Sequence, residues 1–292
     1  MNEQNGNYKD KTMLVVLAHP DDESFGMGGT LAYYADKGVN IHYLCGTRGE
    51  SGTLDADCLD GFDSVGERRE SELMCAADVL GLSSVSFLGF RDSGMLGSPD
   101  NDHPNALVAQ PVDKVAERIT HFIRRIKPDI IVTHDPVGGY HHPDHIAIHK
   151  ATVKAFHAAA DPNMYQNGLE PHQPQRLYYG VFPRRLFRVL VWALKVIGRD
   201  PSKFGRNQDI NLEMLAKDPD YPQHVKINYT KYKERKAKAD ACHESQLDLG
   251  SQGSGIFFWL REKLIPGTDG YMQAYPEIPA NAHMKDLFEG LQ

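Results

Sequence analysis

A chain of 292 residues, 41% hydrophobic and 24% charged, has the length for one large buried core and the composition of an ordinary globular protein. Its formal net charge of −7 provides no basic surplus to neutralise phosphates, which argues against nucleic acid as a partner. The polar N-terminus has no apolar signal region and no eighteen-residue apolar run occurs, so no transmembrane segment is expected and cytoplasmic residence is the default.

In chain order, "MLVVLA" (13–18) is a continuous apolar run, as suits a strand buried on both faces of a parallel sheet. "GTLAYYADKG" (29–38) predicts a helix that Gly38 ends, and "VNIHYLCG" (39–46) a second strand. Helical apolar spacing returns over residues 64–82, followed by a third strand around "SVSFLG" (84–89). Residues 112–127 form an amphipathic pattern that Pro128 breaks, "DIIVTH" (129–134) is a fourth strand, and a helix runs from Pro143 to about Ala160. Further on, "RLYYGVF" and "HVKINYT" predict strands and "YKERKAKADACHESQ" a charged helix. "RRLFRVLVWALKVIG" (184–198) is too short and too charged to span a bilayer. It reads as a core, lid or oligomer-interface helix, with interfacial membrane binding as the alternative.

This alternation specifies an α/β fold: a Rossmann-like, doubly wound, mostly parallel sheet with a C-terminal α/β extension. The expected division is a polar tail over 1–12, a Rossmann-like catalytic core over 13–160, and a part over 161–292 that completes the same domain and the substrate pocket. Ligands of such sheets bind past the carboxyl ends of the strands. "HPDDE", "TRGESG", "FRDSGM" and "HDPVGGYHHPDH" follow the first four strands, so all four should converge on one crevice.

Cys45, Cys58, Cys75 and Cys242 have no CxxC spacing, which argues against a zinc ribbon or a thioredoxin-type site; reduced, buried thiols are expected. Histidine is the outlier, with seven of fourteen between His103 and His149. Two histidines and a carboxylate, with a fourth position open to water, form a common catalytic zinc shell. A neighbouring carboxylate outside the shell can take the water's proton. "HPDDE" and "YHHPDH" supply such groups, and adjacent Asp21 and Asp22 point in different directions, so one can reach a metal while the other faces substrate; spacing does not say which. Taken alone, "HPDDE" also fits a helix-capping turn. "GMGG" fits close helix packing better than a phosphate cradle, because the dinucleotide fingerprint is incomplete.

"AHPDDE" after the first strand and "HPDH" opening the helix after the fourth together resemble the LmbE-like or PIG-L family of zinc-dependent N-acetylglucosaminyl deacetylases. "TRGESG", "RESEL", "LGFRDSGM" and "GGYHHPDH" match as well. "LGFRDSGM", with "ACHESQ" near His243, is closest to the mycothiol branch, its deacetylase and S-conjugate amidase. The resemblance implies zinc ligands His19, Asp22 and His145, with Asp21 as general base. It implies an oxyanion-stabilising His142 oriented by Asp144, and Tyr140 as a further donor. One Zn2+ per chain follows, and imidazole and carboxylate ligands also accept Fe2+. The implied partner is a small-molecule amino-sugar conjugate, and a homo-oligomer is compatible with it.

Arg48, Glu50, Arg69 and Asp92 stand at strand ends or on the flanking helix, where a sugar's hydroxyls could find donors and acceptors; Arg69 reads equally as an intrahelical ion pair. His149 reads as packing or support behind a ligand, His134 as either support or substrate contact, and His141 as a solvated loop residue. The implied activity is an N-deacetylase, with an amidase for a larger acyl group as the alternative. A phosphoesterase is disfavoured because no second metal shell appears, and a non-catalytic sugar-binding protein because Asp21 is intact.

Overall fold

The computed structural model describes residues 8–54, 59–166, 168–204, 208, 210–247 and 267–291. Its centre is a seven-stranded sheet: β1 (Thr12–Leu17), β2 (Asn40–Cys45), β3 (Ser84–Phe87), β4 (Ile130–Thr133), β5 (Arg176–Val181), β6 (Val225–Asn228) and β7 (Thr268–Tyr275), in the order β3-β2-β1-β4-β5-β7-β6. β1 pairs in parallel with both β2 and β4. Met13 to Leu17 are accordingly all buried, which is why the run shows no alternation. The chain turns from one side of β1 to the other between β3 and β4, placing a topological switch point at the β1/β4 boundary.

Helices cover both faces. α1 (Met27–Asp36) and α2 (Val65–Leu80) pack on one face, and α3 (Val112–Ile126) and α5 (Pro143–Ala158) on the other. Ser64 caps α2 by accepting from the Glu67 amide, and Gly81, at φ 79°, ends it. Between β4 and α5 lies a kinked turn, α4 (Gly138–His141). The C-terminal part adds α6 (Arg184–Val196), α7 (Leu212–Lys217), α8 (Lys233–Cys242) and the antiparallel edge strands β7 and β6. The expected mostly parallel sheet with a C-terminal extension is the one observed, and β7 and β6 make it mixed at one edge.

Two features were not anticipated. β7 buries Asp269, Tyr271 and Gln273 on alternating positions, an inward face that is largely polar and so inverts the usual strand signal. Asp269 accepts from the Thr30 amide (3.2 Å) and hydroxyl (2.7 Å), anchoring this strand to α1. The expectation of reduced thiols is corrected at Cys75 and Cys242, which form a disulfide. They lie 167 residues apart, and only the side-by-side packing of α2 and α8 brings their Cα atoms to 5.8 Å. Cys45 is a free, buried thiol as expected, and Cys58 lies outside the described residues.

The glycines after "HPDDE" do permit close packing, against the C-terminal part. A Cβ on Gly29 would lie 2.1–2.5 Å from the ring of Tyr229, and one on Gly28 would lie 3.3 Å from Cγ of Lys236. Gly29→Ala should therefore destabilise the fold by roughly 1–3 kcal/mol, read as a lower denaturation midpoint with an unchanged slope. An unchanged midpoint would mean that Tyr229 is free to move.

Candidate active site

The crevice past the ends of β1 and β4 receives all four polar connections. After β1, the Asp22 carboxylate folds back on the strand end, where its Oδ2 accepts from the amides of His19 (2.9 Å) and Ala18 (3.2 Å). Asp21, between them, sits at φ 111°, in the left-handed region that costs a non-glycine residue about 1–3 kcal/mol. Three contacts hold it there. Its amide donates to Glu23 Oε2 (3.0 Å), its carbonyl accepts from Phe25 (2.9 Å), and its carboxylate accepts from Arg69 Nη2 (3.1 Å).

Past β4, His142 caps α5, its Nδ1 accepting from the Asp144 amide (3.2 Å). A neutral His142 therefore carries its proton on Nε2. Burial, reinforced by the neighbouring His19, pushes its pKa down to about 3 and keeps it neutral. His145 follows in the first turn of α5. Its Nε2 lies 3.1 Å from His19 Nδ1 and 3.4 Å from Asp22 Oδ1, and Asp22 Oδ2 is 3.7 Å from His19 Nδ1.

This donor set fits a divalent ion. Two imidazole nitrogens pointing at each other across 3.1 Å repel unless a proton or a cation lies between their lone pairs, and a carboxylate oxygen flanks each. Burial holds His145 well below its ordinary value and hence neutral, the form that ligates. Burial opposes ionisation of Asp22, yet His145, His134 and His19 outweigh it and hold that carboxyl well below the usual range. Around the same point, His19–His142–His145, Asp22–His134–His145 and His19–Asp92–Asp144 each form a cluster able to hold an ion.

The far side of His19 is built of carboxylates. Its Nε2 lies 3.2 Å from Asp144 Oδ2 and 3.5 Å from Asp92 Oδ1. Ser93 in turn donates its amide (2.9 Å) and its hydroxyl (2.5 Å) to Asp144. Asp144 was expected behind His142; its carboxylate instead backs His19, because at the start of α5 only its amide reaches the His142 ring. His134 stacks on His145 with ring centroids 3.9 Å apart, and His149 stands behind it, donating Nδ1–H to the His134 carbonyl (2.9 Å). His141 is paired rather than merely solvated, with Nε2 2.7 Å from Asp218.

A cavity of about 750 Å³ opens here, with Asp21, Asp22, His134, Tyr140 and His145 in its wall. None of Arg48, Glu50, Arg69 and Asp92, the expected sugar contacts, lines it. Arg48 donates to Glu70, and Glu50 accepts from the Asp92 and Arg48 amides. Asp92 accepts from Ser51 and Gly94 and faces His19. Arg69 forms no intrahelical pair. It is buried, and besides Asp21 it donates to the carbonyls of Pro20 (2.6 Å) and Gly49 (3.0 Å), clamping two connections together.

Sequence reasoning passed over three contributors. Glu23, fully buried, bonds Asp21 on one oxygen and His243 Nε2 (2.6 Å) on the other, so "ACHESQ" supports "HPDDE" directly. Ser93 was legible only as part of "FRDSGM". Arg184, buried at the head of α6, pairs with Asp135 (2.8 Å) and donates to the Gly139 carbonyl (2.9 Å), fixing the turn that carries Tyr140; nothing local in the sequence marks it.

The geometry defines an α/β enzyme whose imidazole–carboxylate centre, able to hold a metal ion, sits at the sheet's switch point. The chain belongs to the PIG-L family, and with it to the amide hydrolases that release acyl groups from nitrogen: residues 14–156 match the family model described as GlcNAc-PI de-N-acetylase. It is 32% identical to the 1D-myo-inositol 2-acetamido-2-deoxy-alpha-D-glucopyranoside deacetylase of Acidothermus cellulolyticus, over 96% of this chain and 95% of that one. Identity to the protein of the same name from Thermobifida fusca is 36%, over 82% and 84%. Among solved structures, the fold is shared with the N,N'-diacetylchitobiose deacetylase of Pyrococcus horikoshii, with TM-score 0.63, 22% identity and coverage of 95% and 87%. It is also shared with GalB, the 4-carboxy-2-hydroxymuconate hydratase of Pseudomonas putida, with TM-score 0.58, 20% identity and coverage of 92% and 98%.

The Glu23–His243 pair sets a pH dependence of stability. Burial alone would lower His243, but Glu23 outweighs it and raises the imidazole above its ordinary 6.5. The pair therefore contributes fully below that value and fades as pH rises through the raised, folded one. Native protein should lose more stability between about pH 6 and about pH 9 than a His243→Gln variant, which itself should be weaker by roughly 3–5 kcal/mol at the lower pH. Equal slopes in denaturant titrations would show that the pair is not charged.

Proposed function

We propose that this protein is a zinc-dependent N-deacetylase of a small N-acetylglucosamine conjugate, acting in the cytoplasm, with one zinc ion per chain held by His19, Asp22 and His145. The observation that carries the reading is the convergence of His19 Nδ1, His145 Nε2 and the Asp22 carboxylate, with Asp22, His145 and a second carboxylate, Asp21, in the cavity wall and His19 directly behind them. The relatives named as deacetylases of a 2-acetamido-glucopyranoside of inositol support an inositol-linked amino sugar as the substrate.

A divalent ion held by His19, Asp22 and His145 would supply Lewis acidity for the amide carbonyl and for the attacking water. Asp21 supplies the proton transfer. Burial pushes its carboxyl up to about 7 against the pull of Arg69, which suits a group that must accept a proton near neutrality and give it back. It takes the proton of the water as the C–O bond forms and returns it to the nitrogen as the C–N bond breaks, leaving acetate and a free amine. His142 donates Nε2–H to the carbonyl oxygen as negative charge builds there. Tyr140 is the second donor, since burial pushes its hydroxyl well above 10 and keeps the proton on it. Arg69 is a positioning residue, holding Asp21 in its left-handed turn.

Asp21→Asn should keep the metal and lower turnover by a factor on the order of 10² to 10⁴, whereas His19→Ala and His145→Ala should lose the metal itself. Metal analysis beside an assay for released amine separates the two classes, and a metal-replete Asp21→Asn enzyme with native turnover would reject Asp21 as the base.

Arg69→Met tests the positioning role through pH. The guanidinium lowers the pKa of Asp21, so its removal should move the acid limb of the kcat/KM profile to higher pH. A lower plateau with an unmoved limb would mean that Arg69 acts only on the fold.

A further inference from the structure

α6 carries a surface that neither the sheet nor the reaction uses. Its inner side chains Phe187, Leu190 and Leu194 are buried against Leu212 and Leu215 of α7. On the opposite side Val189, Trp192 and Val196, 54–67% exposed and spaced by three and four, form one outward strip, and Ile197, 66% exposed, stands at the C-terminal cap beside its end. An exposed tryptophan in such a strip is unusual, since large aromatic side chains are among the most strongly buried on average.

Charge selects the occupant. The chain as a whole has a formal charge of −7, yet from Arg185 to Lys203 it carries five basic residues, Arg185, Arg188, Lys195, Arg199 and Lys203, and one acid, Asp200. On a helical projection Arg188 and Lys195 run along one border of the strip, Arg185 stands in line with it at the N-terminal end, and Arg199 follows three residues beyond the helix. Arg188 and Lys195 pair with Asp220 (3.0 Å) and Glu213 (2.7 Å), while Arg185 and Arg199 have no acidic partner among the described residues.

We propose that the outer face of α6 docks this protein on an anionic lipid bilayer, with Trp192, Val189, Val196 and Ile197 entering the headgroup boundary and the basic border meeting acidic headgroups. An apolar face bordered by basic residues, too short and too charged to cross, lies in the plane of the interface, and tryptophan is enriched at that level. A second copy of the chain fits less well. A two-fold contact along α6 would bring the basic border against itself, and a patch of four side chains is small beside the roughly 800 Å² per partner of a specific protein interface. No helix among the described residues is long and apolar enough to cross a membrane, so the contact is peripheral. α6 also roofs the cavity through Phe187, so docking sets the cavity beside the bilayer.

The test is co-sedimentation of the full-length, metal-loaded protein with vesicles of phosphatidylcholine alone and of phosphatidylcholine containing one-third phosphatidylglycerol. The expected result is binding to the anionic vesicles only, weakened by salt. Trp192→Glu should reduce it at least about tenfold, and Arg188→Gln with Arg199→Gln should reduce it and flatten the salt dependence. All these side chains are exposed, and amine release from a soluble substrate without vesicles should stay native, which shows that the variants are folded. Absence of binding to either vesicle, or binding that Trp192→Glu leaves intact, overturns the proposal. So does a native protein that is dimeric without vesicles and becomes monomeric with Trp192→Glu, since the strip would then be the contact between two copies.

Discussion

The strained turn at Asp21 is the constraint on which the site depends. A left-handed aspartate is unfavourable by about 1–3 kcal/mol and persists only where the surroundings over-determine it. Here Arg69, on α2, bonds its carboxylate and the preceding carbonyl, while Glu23 bonds its amide. Glu23 is held by His243, which follows α8 directly, and Ser245 two residues on donates its amide and hydroxyl to Glu72 of α2. A loop of five residues thus draws its shape from α2 and from a segment 220 residues later in the chain. The disulfide between Cys75 and Cys242 joins the same two helices, so α2 and α8 act as one support.

The turn also separates two carboxylates that are neighbours in the chain. Asp22 folds back on the strand and faces two imidazoles; Asp21 faces a guanidinium and the cavity. The surroundings push their pKa values in opposite directions, Asp22 down and Asp21 up, so one short loop presents two carboxylates of different character. His19 is the hinge of the arrangement: its Nδ1 side faces His145 and Asp22, and its Nε2 side faces Asp144 and Asp92. Burial disfavours a charged His19, but these acids outweigh it and raise its pKa well above the ordinary value. Carboxylates behind a ligating imidazole orient it and increase its basicity. Asp92 and Asp144 therefore matter to the site although neither lines the cavity.

How much of this was legible follows from the range of the forces involved. Strands β1 to β4 and their helices announce themselves because burial on two faces demands unbroken apolar runs, and the convergence of four loops follows from topology alone. The partners inside the crevice do not follow. That Asp144 backs His19 rather than His142 depends on which atoms of a helix N-terminus face which ring, a matter of ångströms that spacing does not encode. Arg48 and Glu50 look like sugar contacts at the level of loops, yet each meets a local partner first. β7 and the disulfide lie beyond local reading for a different reason: their partners, Thr30 and Cys75, are each more than 160 residues away.

The shared fold of a chitobiose deacetylase and a hydratase shows that the sheet itself specifies no reaction. What the sheet contributes is a fixed origin: β1 and β4 hold Ala18 and His134 side by side, and the Ala18 amide reaches both Asp22 and the His134 ring. From that origin two short loops carry the imidazoles and carboxylates. Leu17, Phe25, Met27 and Thr133 continue the wall from the first half of the chain, and β5, β7, α6 and α7 complete it from the second. Its side chains there are mostly apolar, among them Val181, Phe182, Phe187, Leu212 and Leu215, with Arg184 and Asp135 neutralising each other between them. The two halves of the chain therefore meet at this cavity, with the cluster of imidazoles and carboxylates drawn from the loops after β1 and β4 and most of the apolar wall from β5 and the segments after it.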